Sequence, residues 1–513
     1  MKLSYNPLRQ LEEMEDWLGI TRIENDPMGR ALKVQYPDGK EVSYTYGKGG
    51  ERTGITYPDG RTASYLYDSR LRLAGLKDGE DTISYGYDER GRLSRKTFPN
   101  GMETTYAYDI RGQLMELTHR DKEGILDRYV YGYDLMGNKT SIEKQRRGLP
   151  EESGAYAYQY DAMGRLAGVS RDGQTLKTYE YDAFGNRSLL KEGGRETAYA
   201  YNAMNQLIRK TDVMNEETYA YDKRGNLSLI LENGDIKNRY LYGALDRLER
   251  TVTGKGEAAA YTYNGLGHRV GKASGAMEGM AGLQNGPSDA ILKGTDLKDP
   301  LSGLKEQVIR PETRIEYTID LTRQYHNLLQ KEEDGNTQSY LWDGNVAGMR
   351  EDRGTASHYY FQDELGSPVR LMDQNGELAE SYGYDEFGQD LYWDREETAG
   401  RSMTGSLQPF GYTGYQYDKT AGTYYAQARE YRAELGRFAA VDTIKGFTMA
   451  PYTLNEYGYC WNNPMMLVDR NGRIPVYSEN ELYVGAVPGE PLSVDTNLQE
   501  PVLCAGAANV IED

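Results

Sequence analysis

Cysteine and histidine are both scarce in this chain of 513 residues, which has two of the first and four of the second. Two cysteines, Cys460 and Cys504, cannot build a disulfide framework, and we expect them to be separate thiols. The histidines stand at no spacing typical of a zinc site, so we predict no metal and no cofactor. They are His119, His268, His326 and His358.

Long apolar runs are also missing. No stretch reaches the roughly 18 apolar residues that a transmembrane helix needs. The N-terminal stretch MKLSYNPLRQLEEMEDWLGI has neither the apolar core nor the cleavage site of a signal peptide. Because a repeat unit has already begun at Asn6, we expect the chain to be the C-terminal piece of a longer protein whose own start carries the export signal.

Positive charge is in short supply, since 60 Lys and Arg residues stand against 79 Asp and Glu, for a net charge of -19. Binding to nucleic acid depends on clustered Lys and Arg, and no repeat carries such a cluster. The glycine-rich GKGG at Gly47 lacks the strand-to-helix context and the Lys-Ser/Thr ending of a phosphate loop. We therefore predict no nucleic-acid partner and no nucleotide site.

Tyrosine, by contrast, is abundant, with 46 copies against 7 phenylalanines. Much of it lies in a repeated phrase, Tyr-x-Tyr-Asp-x-x-Gly-Arg/Asn-Leu, of which YGYDERGRL from Tyr85 is the clearest copy. The position after the second Tyr, the marker, recurs about every 21 residues, which indicates a repeat architecture. The markers are Asn6, Asp26, Gly47, Asp68, Asp88, Asp109, Asp134, Asp161, Asp182, Asn202, Asp222, Gly243 and Asn264.

Each repeat unit is predicted to be a β-hairpin. Tyrosines two apart, such as Tyr85 and Tyr87, point to the same face of a strand. The Asp and Gly that follow favour a turn, and the return strand ends in a second turn such as PDG at Pro37. Because a lone hairpin is marginal in water, we expect residues 1–264 to form one continuous antiparallel sheet with a tyrosine core. A ladder of exposed rings that binds sugars is the alternative.

The regular period ends near residue 264. Residues 265–312 are rich in Gly and small residues, which is typical of an insertion or linker. Less regular hairpins resume over 313–407, and a denser stretch with a different pattern covers 408–472. The tail, 473–513, holds one Arg and seven acidic residues, and it could be a truncated toxin, an inert remnant or a partner tag.

The Tyr-Asp units, the segment HYYFQDELGSPVRLMDQNGE from His358 and the dense stretch from Pro409 to Gly472 together resemble the RHS/YD-repeat family with its RHS repeat-associated core domain. The resemblance implies an all-β cocoon in which a spiralling strip of sheet forms a shell. In such a shell the core domain closes one end, and a variable C-terminal segment, often a toxin, lies inside. Since the repeats are few for a sealed shell, we expect a curved strip with an exposed edge near residue 1.

The resemblance also implies a location and partners. The location would be secreted or at the cell surface. The partners would be the chain's own C-terminal segment or toxin cargo, an N-terminal shell or secretion partner, and an immunity protein. The function implied is a shell and delivery scaffold that encloses or presents this cargo. A glycan-binding adhesin at the cell surface and an inactive remnant of a larger toxin gene are the rival interpretations.

In toxin-carrying members of the family, the core domain resembles an aspartic self-protease that cuts just after a D-P-x-G-L motif. The matching acids here are Asp442 in AAVDTIKG and Asp469 in VDRNG. Arg437 in ELGRF matches a basic residue that would orient or polarise the reacting groups. Two carboxylates close together suit this task because they can share one proton.

Two residues depart from the cleavage motif, because Arg470 replaces its Pro and Arg473 replaces its Leu. An apolar slot built for Leu would have to desolvate a guanidinium, which costs several kcal/mol unless the charge is paired. We therefore expect self-cleavage between Arg473 and Ile474 to be slow or lost. The alternative is that the acids and arginines have only a structural role and stabilise a turn-rich plug.

Overall fold

The computed structural model describes residues 1–277, 309–325, 327–351, 356–392 and 401–477. Within these ranges the chain forms 39 β-strands and five 3-10 helices, and it contains no α-helix. Most of the strands are short and follow one another with two-residue turns or tight loops between them. The all-β prediction is therefore confirmed.

The strands of the first half follow the hairpin pattern of the repeats. They are β1 (Lys2–Tyr5), β2 (Leu11–Asp16), β3 (Gly19–Asn25), β4 (Ala31–Gln35), β5 (Glu41–Tyr46), β6 (Arg52–Thr56), β7 (Thr62–Tyr67), β8 (Leu73–Asp78), β9 (Asp81–Tyr87), β10 (Leu93–Thr97), β11 (Glu103–Tyr108), β12 (Leu114–Asp121), β13 (Gly124–Tyr133), β14 (Lys139–Arg146), β15 (Gly154–Tyr160), β16 (Leu166–Arg171), β17 (Gln174–Tyr181), β18 (Arg187–Glu192), β19 (Arg195–Tyr201), β20 (Leu207–Thr211), β21 (Glu216–Tyr221), β22 (Leu227–Glu232), β23 (Asp235–Tyr242), β24 (Leu248–Thr253) and β25 (Glu257–Tyr263).

The remaining strands continue the same meander and then change to shorter elements. They are β26 (Arg269–Met277), β27 (Ile309–Ile319), β28 (Leu328–Glu333), β29 (Asn336–Trp342), β30 (Val346–Glu351), β31 (Ala356–Gln362), β32 (Pro368–Asp373), β33 (Leu378–Ser381), β34 (Gln416–Asp418), β35 (Thr423–Ala426), β36 (Arg429–Arg432), β37 (Arg437–Phe438), β38 (Leu467–Val468) and β39 (Val476–Tyr477). The 3-10 helices are Met403–Gly405, Tyr412–Gly414, Ala433–Leu435, Pro451–Leu454 and Cys460–Asn462.

Strands β1 to β33 form a single antiparallel sheet of 33 strands, in which each strand pairs with the next one along the chain. The continuous sheet expected over residues 1–264 is present, and it extends to Ser381. Strand β26 pairs with β27 although residues 278–308, most of the expected Gly-rich insertion, lie outside the described residues. The sheet thus continues on both sides of that insertion.

The repeat phrase explains how each hairpin closes. In the unit at Asp88, the first tyrosine, Tyr85, is buried and the second, Tyr87, pairs with Leu93 across a bulge. One carboxylate oxygen of Asp88 accepts hydrogen bonds of 2.9 Å from the backbone amides of Arg90 and Arg92. The other carboxylate oxygen pairs with the Arg92 guanidinium at 2.7 Å. Each part of the phrase therefore has a structural purpose in the turn.

The strip of sheet coils so that its later strands pack against its earlier ones. The Tyr57 hydroxyl donates to the backbone carbonyl of Tyr340 at 2.7 Å, and the rings of Phe98 and Phe361 lie 4.9 Å apart. The coil brings the N-terminal hairpin to β25, where the indole of Trp17 donates to the backbone carbonyl of Tyr263 at 2.8 Å. Tyrosine rings fill the space between the layers, as the packing interpretation of the repeats predicts.

The N-terminal edge of the sheet is open within the described part of the chain, since β1 pairs there only with β2. This agrees with the expected edge near residue 1, and whether the edge promotes association stays a prediction. Among the described residues, no helix has the length and apolar character needed to cross a membrane. No cluster of three or more His, Cys, Asp and Glu suited to a metal ion occurs in those same ranges.

Residues 408–472, the dense segment, contain the small sheet β34 to β37 and the strand β38, which pairs with β39 just after the segment ends. Five buried tyrosines form the centre of this segment, and the rings of Tyr431 and Tyr459 lie 4.2 Å apart. The segment lies across a row of hairpin turns in the large sheet. Three hydrogen bonds of 2.8–3.1 Å mark this contact: Asn463 to Asn138, Asn462 to Gly185, and Tyr457 to Gly225.

Candidate self-cleavage site

The two acids expected to act together lie at the ends of short elements in the dense segment. Asp442 follows β37, and its backbone amide donates to the carbonyl of Glu456 at 3.0 Å. Asp469 follows β38 and begins a turn that ends at Arg473. Both side chains are buried, with 9% and 1% of their surfaces exposed. The fold thus brings together two carboxylates that are 27 positions apart in the sequence.

A single guanidinium joins the two acids. The Arg429 Nη2 atom lies 2.8 Å from the Asp442 carboxylate and 3.5 Å from that of Asp469. Its other nitrogens donate to the carbonyls of Gly472 at 2.5 Å and Glu456 at 3.0 Å. Arg429 therefore fixes both acids and the turn that follows Asp469.

Steric constraints require glycine at position 472, the glycine of the cleavage motif. Gly472 has a φ of 70°, in the left-handed region that favours glycine. A Cβ atom at this position would lie 2.3 Å from the carbonyl oxygen of Ala426, at the turn before β36. The same turn is tied down by the Ala428 amide, which donates to the Asn471 carbonyl at 3.1 Å. Only glycine lets the 469–473 turn approach β36 this closely.

Burial changes the proton affinity of both acids. It raises the pKa of Asp469 to about 6, against the opposing effects of the Arg429 charge and of the Arg473 amide, which donates to Asp469 Oδ1 at 2.8 Å. Burial also raises the pKa of Asp442, although Arg429 acts in the other direction. A pair in which one carboxyl holds a proton near neutral pH and the other is ionised has the properties of an acid and a base.

Arg437, the basic residue singled out in the sequence, lies elsewhere. Its guanidinium stands 4.9 Å from the ring centre of Tyr201 and 5.0 Å from that of Tyr457, and it donates to the carbonyl of Asn205 at 2.5 Å. These contacts hold the dense segment to the large sheet. The cation beside the acids is Arg429. Sequence reasoning missed it because the family pattern pointed to Arg437 in ELGRF and nothing in the sequence singles out Arg429.

The two arginines that replace motif residues are both near the site. Arg470 lies 5.1 Å from the ring centre of Tyr325, and burial lowers its pKa to about 10. The Arg473 backbone amide also donates a hydrogen bond to the side-chain oxygen of Asn471 at 3.1 Å. The charge of Arg473 acts with that of Arg429 to oppose the burial effect on the pKa of Asp442. A cation therefore sits where the motif has an apolar side chain.

Other reactive groups in the region are buried and carry no site of their own. The thiol of Cys460 is fully buried, and burial raises its pKa well above the ordinary value. Cys504 and His326 lie outside the described residues. His119 stacks on Phe361 with 4.8 Å between the ring centres, and burial lowers its pKa to about 4.

Comparison with known families agrees with this architecture. The family profile described as Teneurin YD-shell matches residues 126–278 and 323–465, together more than half of the chain. The chain belongs to the YD-shell family. The profile described as RHS Repeat matches residues 26–62 and 87–124 as well, which confirms the RHS/YD-repeat resemblance.

Three relatives illustrate the range of proteins that the chain resembles. The tRNA nuclease WapA of Bacillus subtilis is 27% identical over 61% of this chain and 12% of the relative. Toxin protein Tse5 of Pseudomonas aeruginosa is 25% identical over 67% of this chain and 27% of the relative. Teneurin-3 of Mus musculus is 24% identical over 69% of this chain and 11% of the relative. The chain thus spans a small part of the length of these relatives.

A solved structure has a similar fold. The Tc holotoxin pore of Photorhabdus luminescens superposes with a TM-score of 0.60 over 93% of this chain and 25% of the other, at 16% sequence identity. Similarity at this level establishes the fold alone. The coiled strip of this chain therefore has the fold of the matching part of the holotoxin.

Proposed function

We propose that this chain is the shell of an RHS-type delivery scaffold that encloses or presents a C-terminal cargo and processes itself in the dense segment. The observation that carries the proposal is the arrangement of Asp442, Asp469 and Arg429 at the turn from which the tail, residues 473–513, departs. Two relatives are named as toxins or nucleases, which supports a toxin-related cargo.

The proposed organisation keeps the boundaries that the sequence suggests. Tandem repeats occupy 1–264, an insertion 265–312, irregular hairpins 313–407, the RHS core domain 408–472 and the variable tail 473–513. Secretion or display at the cell surface is proposed as the location. An N-terminal shell or secretion partner is proposed because the chain covers only a small part of its relatives. An immunity protein is proposed because two of these relatives are named as a nuclease and a toxin.

The proposed reaction is hydrolysis of the peptide bond between Arg473 and Ile474. Asp442, the base, removes a proton from water as the water oxygen attacks the carbonyl carbon of Arg473. Asp469, whose raised pKa keeps it partly protonated, supplies a proton to the departing nitrogen of Ile474. The products are a carboxyl group on Arg473 and an amine on Ile474. Arg429 holds both acids in position throughout.

We propose that this reaction is slow in the present chain because of Arg473. Its charge opposes the rise in the pKa of Asp442, so an Asp442 that engages the guanidinium is a weaker base toward water. An increase of about 1.4 kcal/mol in the activation free energy lowers the rate tenfold. Even a partly paired guanidinium in an apolar slot would therefore slow cleavage strongly.

Intact mass spectrometry of the purified full chain tests the proposal. We expect mainly the uncut mass, with at most a minor species that ends at Arg473. A minor species of this kind should vanish in both Asp442→Asn and Asp469→Asn. Rapid, complete cleavage at this bond would contradict the proposed slowing. Cleavage that persists in both variants would contradict the assignment of the acids.

A further inference from the structure

Four consecutive hairpin turns in the middle of the sheet carry no charge at their tips. The two residues after the marker are Leu135-Met136, Ala162-Met163, Ala183-Phe184 and Ala203-Met204; a glycine follows the first three pairs and Asn205 follows the fourth. The turns on either side carry Arg111 and Arg224 instead. The large tip side chains are 62–88% exposed.

A loop of the dense segment adds a second apolar element beside these turns. Residues 446–455 contain no charged side chain, and four large side chains within them are 41–94% exposed. These are Phe447, Met449, Tyr452 and Leu454. The Asn455 side chain donates to the backbone carbonyl of Phe184 at 3.2 Å, so the loop is joined directly to one of the uncharged turns. We call the loop and the four tips together the apolar rim.

The apolar rim is large for a surface that faces water. Nine side chains of this size, each roughly half to nine-tenths exposed, present on the order of 1,000 Å². The largest apolar patch on a typical monomer is about 300–600 Å². A standard protein interface buries about 800 Å² on each partner. The rim therefore has the area of a complete interface.

We propose that the apolar rim binds the same rim of a second copy of this chain, giving a twofold-symmetric dimer. Successive tips are two strands apart, or about 10 Å. If the row of tips on a second copy is antiparallel to the first, each tip of one copy fits into a gap between two tips of the other. Such a self-complementary contact is what a twofold interface requires.

Charge and side-chain type both favour a second copy as the occupant. Each copy has a net charge of -19, and the uncharged rim lets two copies meet without placing like charges in contact. A lipid surface would favour basic residues beside the apolar tips, whereas Lys445, next to the loop, is paired with Glu456 at 2.7 Å. Methionine is adaptable in packing, and Met136, Met163, Met204 and Met449 all lie in the rim.

Sedimentation equilibrium of the full chain at low and high salt tests this proposal. We expect a reversible dimer that high salt preserves or strengthens, because the contact is apolar and the repulsion between copies is screened. Phe184→Glu and Met204→Glu should each weaken dimerisation by at least about tenfold. Met28→Glu is the matched control, since Met28 is a turn tip with 75% exposure outside the rim, and it should change nothing. Circular dichroism should be the same for all variants, because the substituted tips are exposed.

Three outcomes would overturn the proposal. The first is a chain that stays monomeric at every concentration. The second is a dimer that survives both rim substitutions, which would place the contact elsewhere, for example at the open edge of β1. The third is flotation of the monomer with phosphatidylcholine vesicles that the rim substitutions abolish, which would make a lipid surface the occupant.

Discussion

The hydroxyl of Tyr87 donates a 2.7 Å hydrogen bond to the backbone carbonyl of Leu73, 14 residues earlier in the chain. The same bond joins each second tyrosine to the preceding return strand in many other repeats, with examples at Tyr46, Tyr108, Tyr160, Tyr181, Tyr201 and Tyr263. In several of these units, the arginine after the turn also stacks on the next tyrosine, as Arg92 does on Tyr108 at 4.5 Å. Each repeat is thereby locked to its neighbour.

Tyr87→Phe should lower the stability of the sheet by about 1–2 kcal/mol. The ring and its packing remain, but the Leu73 carbonyl loses its tyrosine partner in a half-buried place. Urea unfolding followed by tryptophan fluorescence measures the change. Tyr5→Phe, at a tyrosine that is 49% exposed, is the control and should have little effect. Equal effects of the two variants would show that the bond contributes nothing specific.

Arg52→Met should destabilise the coil much more strongly, by about 3–5 kcal/mol. Arg52 pairs with Asp320 at 2.6 Å, and both side chains are almost completely buried where a late strand meets an early one. Removing the cation leaves an unpaired carboxylate in the interior. The control is Arg22→Met, because Arg22 and Glu13 form a surface pair whose loss costs little. A small effect of Arg52→Met on the urea midpoint would contradict this account of the contact.

Asp469 should make stability fall as the pH rises from about 4 to above 6. Its pKa is about 6 in the folded state and 3.8 as the ordinary value, so the folded state holds a proton in this window that the unfolded chain has lost. The penalty above pH 6 is up to about 3 kcal/mol. Asp469→Asn mimics the protonated form and should flatten this part of the profile, measured by urea unfolding at a series of pH values. The exposed Asp235→Asn should leave the profile as it is, and an unchanged profile in Asp469→Asn would refute the assignment.

Restoring the motif should restore cleavage. In the double variant Arg470→Pro and Arg473→Leu, the two guanidinium groups that depart from the motif are gone while Arg429 stays in place, and we expect intact mass spectrometry to show a product that ends at residue 473. Adding Arg429→Met should abolish the product, because that residue bridges the two acids. Adding Arg437→Met should leave cleavage chemistry in place, since Arg437 contacts Tyr201 and Asn205 instead. A double variant that stays uncut while folded would mean that the arginines are not what prevents the reaction.

The repeat phrase was enough to predict the hairpins, because its parts act within one turn. The Asp88 carboxylate reaches only as far as Arg92, and the glycine at Gly91 supplies a φ of 88°. The later hairpins were harder to recognise, since other side chains replace the second tyrosine. The indole of Trp342 donates to the Leu328 carbonyl at 2.7 Å and so makes the same bond with a different residue type.

The site was only partly predictable for a related reason. Asp442 and Asp469 could be matched to a motif, and they do share one partner. That partner is Arg429, while the arginine chosen from the sequence, Arg437, faces the hairpin turns of the large sheet. Strand direction and the path of the turns decide which guanidinium meets the acids, and a single sequence contains neither.

The sequence by itself determined the antiparallel meander, its period and its tyrosine core, because those depend on contacts between residues close together in the chain. Only the tertiary structure decided which layers meet, which arginine joins the two acids and which turn tips stay open to solvent. Contacts such as Arg52 with Asp320 span 268 positions, and no local pattern encodes them. They arise from the twist of the sheet summed over many strands, which brings distant hairpins face to face.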